Sequence, residues 1–269
     1  MIWLRSLALP LSAALSALLP WAAGITVPVA RPTGSVAIPA SWTCRSEYSD
    51  EFNVFDDTKW HRFNPHWEGR MPGVFAEDQV SVAGGQLNLG VANCEDCGDA
   101  TYKTGTVVSR MRLRYGYLEI SARMAAAAVS SAFWLYAEDD DQWTEIDVFE
   151  NGGVRPFVDA VNTNAHVFKL PLVPKLDLSH QMLVAPPSDM SKTFHRYGLL
   201  WNHDHIEWFI DGRSVRRLSN RYWHQSLNIV FDIEIMKDWM GIPADGELPA
   251  TFHVDYLRVW SPPESSANQ

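Results

Sequence analysis

Glu145-Ile146-Asp147-Val148-Phe149-Glu150 places three carboxylates within six residues, with apolar side chains filling the gaps. In a strand, alternate side chains share a face. Glu145 and Asp147 therefore point one way, and Ile146 and Val148 the other. Glu150 is one residue out of phase. A single bulge at Val148-Phe149 returns it to the carboxylate face, and bulges recur beside active sites, where they re-aim a side chain. Four effective steps of about 3.3 Å separate the Glu145 and Glu150 backbones by about 13 Å. Two long side chains leaning inward on a curved strand bring their carboxyls to about 5–6 Å, near the separation of roughly 5–5.5 Å that a retaining glycosidase requires. The plainer alternative is the wet face of a surface strand. Such a face mixes signs and hydroxyls, whereas this one carries acids alone, with Trp134 and Trp143 close by in the chain. Like charges on one face repel, so the cluster points to a use.

The two-residue period extends well beyond this stretch. Leu118, Ile120, Ala122 and Met124 alternate with Tyr117, Glu119, Ser121 and Arg123. Ile206, Trp208 and Ile210 alternate with Glu207 and Phe209, and Asp211-Gly212 then supplies a hairpin turn. Leu227, Ile229, Phe231, Ile233 and Ile235 form one face of a further strand, with Asn228, Val230, Asp232 and Glu234 on the other. The Ala run within residues 121–128 has a helical composition, but the strand pattern before it and Val129-Ser130-Ser131 after it argue against a helix. Many short alternating strands with turns between them predict an all-β sandwich or barrel.

Residues 1–24 read as a secretory signal: Arg5 gives the charge, residues 7–19 the apolar stretch, and Ala22-Ala23-Gly24 the small-residue exit. Its removal predicts a secreted protein with no membrane attachment. Residues 25–43, rich in Pro, Ala and Thr, read as a flexible leader, residues 44–260 as one domain, and residues 261–269 as a polar tail. Loss of Arg5 moves the net charge from −10 to −11, which disfavours nucleic acid as a partner and fits a densely sulfated polymer poorly. Of the three cysteines, Cys94 and Cys97 could close a small loop, or one of them could pair with Cys44. A zinc site is the weaker alternative, because a lone Cys-x-x-Cys has no partner pair.

Glu-x-Asp-x-x-Glu resembles the catalytic strand of glycoside hydrolase family sixteen in its bulged form. The resemblance covers most of the mature chain: residues 105–110, Tyr115-Gly116-Tyr117-Leu118-Glu119, Ser131-Ala132-Phe133-Trp134-Leu135 and residues 254–260 are similar to strands of that family. It implies a jelly-roll sandwich of two curved antiparallel sheets with a concave substrate cleft, Glu145 as nucleophile, Glu150 as acid/base and Asp147 between them, and no catalytic cofactor. A hydrogen bond from Asp147 is expected to hold Glu145. Trp67-Glu68-Gly69-Arg70-Met71-Pro72-Gly73-Val74-Phe75 and Trp239-Met240-Gly241-Ile242-Pro243 resemble segments of agar-degrading members, whereas laminarin-cleaving members place Gly where Thr144 stands.

Flat aromatic faces pack against sugar C–H faces, which makes Trp67, Trp134 and Trp239 candidate platforms, against the plainer reading of core aromatics adopted for Trp201, Trp208 and Trp260. His166, in an Asn-x-His element like that of agar-degrading members, and Glu234, on the polar face of its strand, are candidate substrate contacts; Arg70, with Lys103 or Arg155, could meet a sulfate. The resemblance also implies a structural calcium held by Asp255 and the carbonyl of Gly85; strand capping is the plainer role for Asp255. The expectation is a monomeric endo-glycosidase acting on agarose or porphyran. A κ-carrageenan or β-glucan specificity, a lectin on the same sandwich, and an unrelated sandwich with a chance acidic strand are the alternatives.

Overall fold

The computed structural model describes residues 38–262 apart from positions 40, 156 and 174. The signal, most of the leader and nearly all of the tail read above lie outside these residues. Among the described residues there is no α-helix, only strands and short 3-10 turns.

The strands form two sheets packed face to face. The acid-bearing sheet has eight strands, in the spatial order Leu178–Ser179, Val161–Lys169, Trp143–Gly152, Ser130–Glu138, Leu227–Glu234, Thr106–Leu113 and Trp60–His61, with Met182–Val184 also paired to Val161–Lys169. The backing sheet has ten, centred on Gly116–Arg123 and Ala250–Ser261, with the hairpin His205–Ile210 and Arg213–Ser219 at one edge. Asp211 and Gly212 make that hairpin's turn with φ of 50° and 75°, the doubly positive geometry that Asp-Gly favours.

The core lies between the sheets. Phe133 and Phe231 stack at 4.9 Å, and Phe149 of the acidic strand meets Tyr197 and Phe252 of the backing sheet at 4.3 and 6.0 Å. Burying each such ring contributes about 1.5–3 kcal/mol, and these rings fix which face of the acidic strand turns inward. Trp201 and Trp208 are buried as the alternation requires; Trp260 is instead half-exposed, because its strand turns it onto the outer face, where it packs on Tyr117 at 5.7 Å. Glu119 is also buried on that outer face, where Tyr117 and Tyr256 both donate to it at 2.9 Å. Cys94 and Cys97 form a disulfide, and Cys44 is free and exposed.

Candidate active site

The acid-bearing sheet lays its open face out as a grid. Glu145 pairs with His166 on one side and Tyr136 on the other, and Tyr136 pairs with Asn228. The next row is Asn164, Asp147, Trp134 and Val230; the third is Asn162, Glu150, Ala132 and Asp232. The third row aligns only because of a bulge. Asp147 opposes Trp134 while Phe149 opposes Phe133, so Val148 is the extra residue; on the other flank Asp147 opposes Asn164 and Glu150 opposes Asn162, two residues against Thr163 alone. Val148 and Phe149 are both buried in the core, so the bulge turns two consecutive apolar residues inward and leaves Glu150 outward.

Bulges leave backbone groups without ladder partners, and a buried unpaired carbonyl costs about 1–3 kcal/mol. Two indoles fill this need. Trp208, from the backing sheet, donates to the Asp147 carbonyl at 2.8 Å. The Trp223 N–H is shared by the carbonyls of Glu145 and His166, 2.9 Å from each. Both catalytic-strand carbonyls are thus held from outside their own sheet.

Each acid has a different neighbour. Glu150 accepts from Asn162 Nδ2 at 3.2 Å, and Gln181 in turn holds Asn162 at 2.9 Å. Glu234 accepts from Arg70 Nε at 3.1 Å, Asp232 from Trp134 Nε1 at 2.8 Å. His166 Nε2 stands 3.4 Å from Asp147 Oδ2 and 3.8 Å from Glu145 Oε1, its ring stacked on Phe168. The expected hydrogen bond from Asp147 to Glu145 is not present: Asp147 Oδ2 is buried without a hydrogen-bond partner. Two bare carboxylates only accept, so that bond needs a proton on one of them.

Burial, reinforced by the other carboxylates, pushes the acids up. Asp147 and Asp232 lie well above the usual carboxylate range, Glu145 rises to about 8 and Glu150 to about 7, with Arg70 opposing the rise at Glu145, Glu150 and Asp232. These groups titrate as a set, so near neutral pH the face carries both protonated and ionised carboxyls. Burial lowers His166 to about 4, making it a neutral imidazole there. A proton donor and an ionised carboxylate side by side are the equipment for breaking a glycosidic bond.

Among the other candidates, Trp134 is half-buried with its ring 4.8 Å from Tyr136. The segment bearing Trp67 and Arg70 is tied to the open face at two points: Tyr136 Oη donates to Asn64 at 3.0 Å, and Arg70 pairs with Glu234 while lying 5.4 Å over the Trp67 ring. Trp239 is half-buried against Phe157, beside the end of the acidic strand. Arg155 and Lys103 do not join Arg70; they pair with Asp159 and Asp78. Asp255 follows Val254, whose partner is Leu87, so the register brings it close to the Gly84–Gly85 turn. That supplies one carboxylate and turn carbonyls, a partial fit to calcium's several oxygen ligands. Among the described residues, the donor set that does converge is Glu145, Asp147 and His166, with ligand atoms all within 4.8 Å of one another.

Sequence reasoning missed Asn162, Asp232, Trp208, Trp223 and Arg216. Asn162 and Asp232 were legible as members of alternating faces. Arg216 was not: it is buried, lies 4.2 Å over the Trp208 ring, donates to Thr163 Oγ1 at 2.9 Å, and is the cation that most favours an ionised Asp147.

Fold and site together define a carboxylate-dependent polysaccharide endo-glycosidase on a jelly-roll sandwich. The chain belongs to glycoside hydrolase family 16, its residues 42–262 matching the family model described as "Beta-porphyranase A-D, GH16 domain". It is 27% identical to the kappa-carrageenase of Pseudoalteromonas carrageenovora over 89% of this chain and 68% of that protein. It is 28% identical to a beta-agarase of Phocaeicola plebeius over 79% of this chain and 83% of that protein. Its structure superposes on that of porphyranase B from Zobellia galactanivorans with a TM-score of 0.74 and 25% identity, covering 82% of this chain and 92% of the other.

Proposed function

We propose that this enzyme is exported and cleaves a β-linked galactan of the agar type, agarose or porphyran, with retention at the anomeric carbon. Glu145 attacks as the nucleophile from the state of the coupled acids in which the shared proton sits on Glu150 rather than on Glu145, and Glu150 protonates the leaving oxygen and then activates water. Asp147, holding a proton, can donate to the Glu145 carboxylate before attack and again as hydrolysis of the glycosyl ester restores its charge, and Asn162 fixes the Glu150 carboxyl.

The observation that carries the substrate reading is Arg70. It lies against Glu234 on the acid face and is half-exposed, whereas Lys103 and Arg155 pair with Asp78 and Asp159 rather than with an acid of that face. A guanidinium placed beside the acids suits a polymer with sparse or single-subsite sulfation. A polymer sulfated at every repeat would need a cation for each desolvated sulfate. The test is incubation with agarose, porphyran, κ-carrageenan and laminarin, with sized products. Cleavage of κ-carrageenan and neither agar-type polymer overturns the substrate reading. We also propose structural calcium at Asp255 with the carbonyl of Gly85.

A further inference from the structure

Glu145 and Asp147 stand on one strand and His166 on its neighbour, and the register Glu145↔His166 brings the three side chains to one point of the open face. His166 Nε2 is 3.4 Å from Asp147 Oδ2 and 3.8 Å from Glu145 Oε1. Bonds of about 2.0–2.2 Å in a tetrahedral zinc site put neighbouring ligand atoms about 3.3–3.5 Å apart. The Asp147–His166 spacing already meets that requirement; Glu145 stands 3.8 Å from His166, and with all three ligand atoms within 4.8 Å of one another a rotation of its side chain by about an ångström completes the set. Asp147 Oδ2 adds a second, independent observation: its side chain is 3% exposed, and this oxygen has no hydrogen-bond partner although it faces the imidazole. Glu145 and His166 are each 19% exposed, so the point is reached from solvent and a fourth ligand position is open. Glu150, Asp232 and Glu234 stand on the same face with Arg70, Arg216 is bonded to Thr163 of the His166 strand, and metal entry releases the protons held by the ligand carboxyls.

We propose that Glu145, Asp147 and His166 form a reversible inhibitory site for a divalent transition metal, Zn²⁺ or Cu²⁺. An imidazole with two carboxylates suits these ions, whereas Ca²⁺ and Mg²⁺ prefer oxygen donors alone. The ion covers the Glu145 carboxylate and so excludes the sugar from it. Metal binding itself does not depend on which galactan is cleaved.

The test is titration of the full, chelator-treated chain with Co²⁺ as a spectroscopic probe. The expected result is one equivalent bound with visible absorption of a low-coordinate site, displaced by Zn²⁺. His166→Gln and Asp147→Asn should each weaken it. Loss of an outer-shell partner already costs a metal site about 10–100-fold, so loss of a ligand should cost at least that. Melting curves check that the variants fold, and Glu145→Gln replaces either one that does not. His203→Gln, at an exposed histidine stacked on His224, should leave binding unchanged. No stoichiometric Co²⁺ binding overturns the proposal, as does binding that persists in His166→Gln, which would mark an adventitious surface histidine. A chain that binds one Co²⁺ yet cleaves no galactan would refute the substrate reading and leave the metal site standing.

Discussion

Glu145→Gln should inactivate the enzyme and stabilise it, with the stabilisation growing as pH rises. In the folded chain burial, then Glu150 and Glu234, raise Glu145 from 4.5 to about 8 against the pull of Arg70. In the unfolded chain it titrates near 4.3. Between these values the unfolded state has released a proton that the folded state retains, so folded stability falls as pH rises across the window. Below about pH 4 both states hold the proton and the effect vanishes. At about 1.4 kcal/mol per pH unit the penalty at pH 8 has a ceiling of about 5 kcal/mol. Because Glu145 shares its titration with Glu150 and Asp147, an effective penalty of about 2 kcal/mol is the working figure. Gln keeps the shape and removes the charge. At pH 8 the variant should melt about 4–8 °C above the parent, and the two should converge toward pH 4. Hydrolysis should fall by far more than a hundredfold, since removing a nucleophile can cost about 10⁶ in kcat. The assay is a set of thermal melts from pH 4 to 8.5, paired with reducing-end release. An equal or lower melting temperature at pH 8 would refute the electrostatic reasoning. Residual activity above about a hundredth of the parent's would refute the role given to Glu145.

Proton NMR of the first product should show the β-anomer, because the bulge sets both glutamates on one face, the arrangement a retaining site uses; an initial α-anomer would mean inversion. Arg70→Gln should lower kcat/KM on porphyran more than on agarose, and an equal loss on both would make Arg70 a support for Glu234 instead of a sulfate contact. Trp208→Phe leaves the Asp147 carbonyl without its 2.8 Å donor, so denaturant melts should show a loss of about 1–3 kcal/mol; a smaller change would mean that water replaces the indole. Chelator treatment should lower the melting temperature if calcium sits at Asp255, while leaving the Glu145 chemistry unchanged in the absence of heat, and an unaltered melt would remove calcium from the account.

The alternation of residues 205–210 and 227–235, the Asp211-Gly212 turn and the bulged spacing of Glu145, Asp147 and Glu150 were all legible in the sequence. Each is a local property: the two-residue period and the phase slip depend only on neighbours along the chain. So the all-β class, the inward faces of residues 205–210 and 227–235 and the common face of the three acids follow without knowing which strands pair. Partnership across the sheet and between sheets is different. Glu145 opposite His166, Asn162 on Glu150, Arg70 on Glu234 and the Trp208 and Trp223 clamps join segments far apart in the chain. Register and layer packing select these partners, and neither leaves a mark in local periodicity. The same limit accounts for Trp260, read as a core aromatic on a strand similar to the family's closing strand but turned onto the outer face, where it packs on Tyr117. It accounts equally for Asp147, expected to hold Glu145 by a hydrogen bond and found instead beside the His166 imidazole with one oxygen unpaired. Sequence placed the carboxylates on one face; the pairing of distant strands decided what surrounds each of them, and with it their charge.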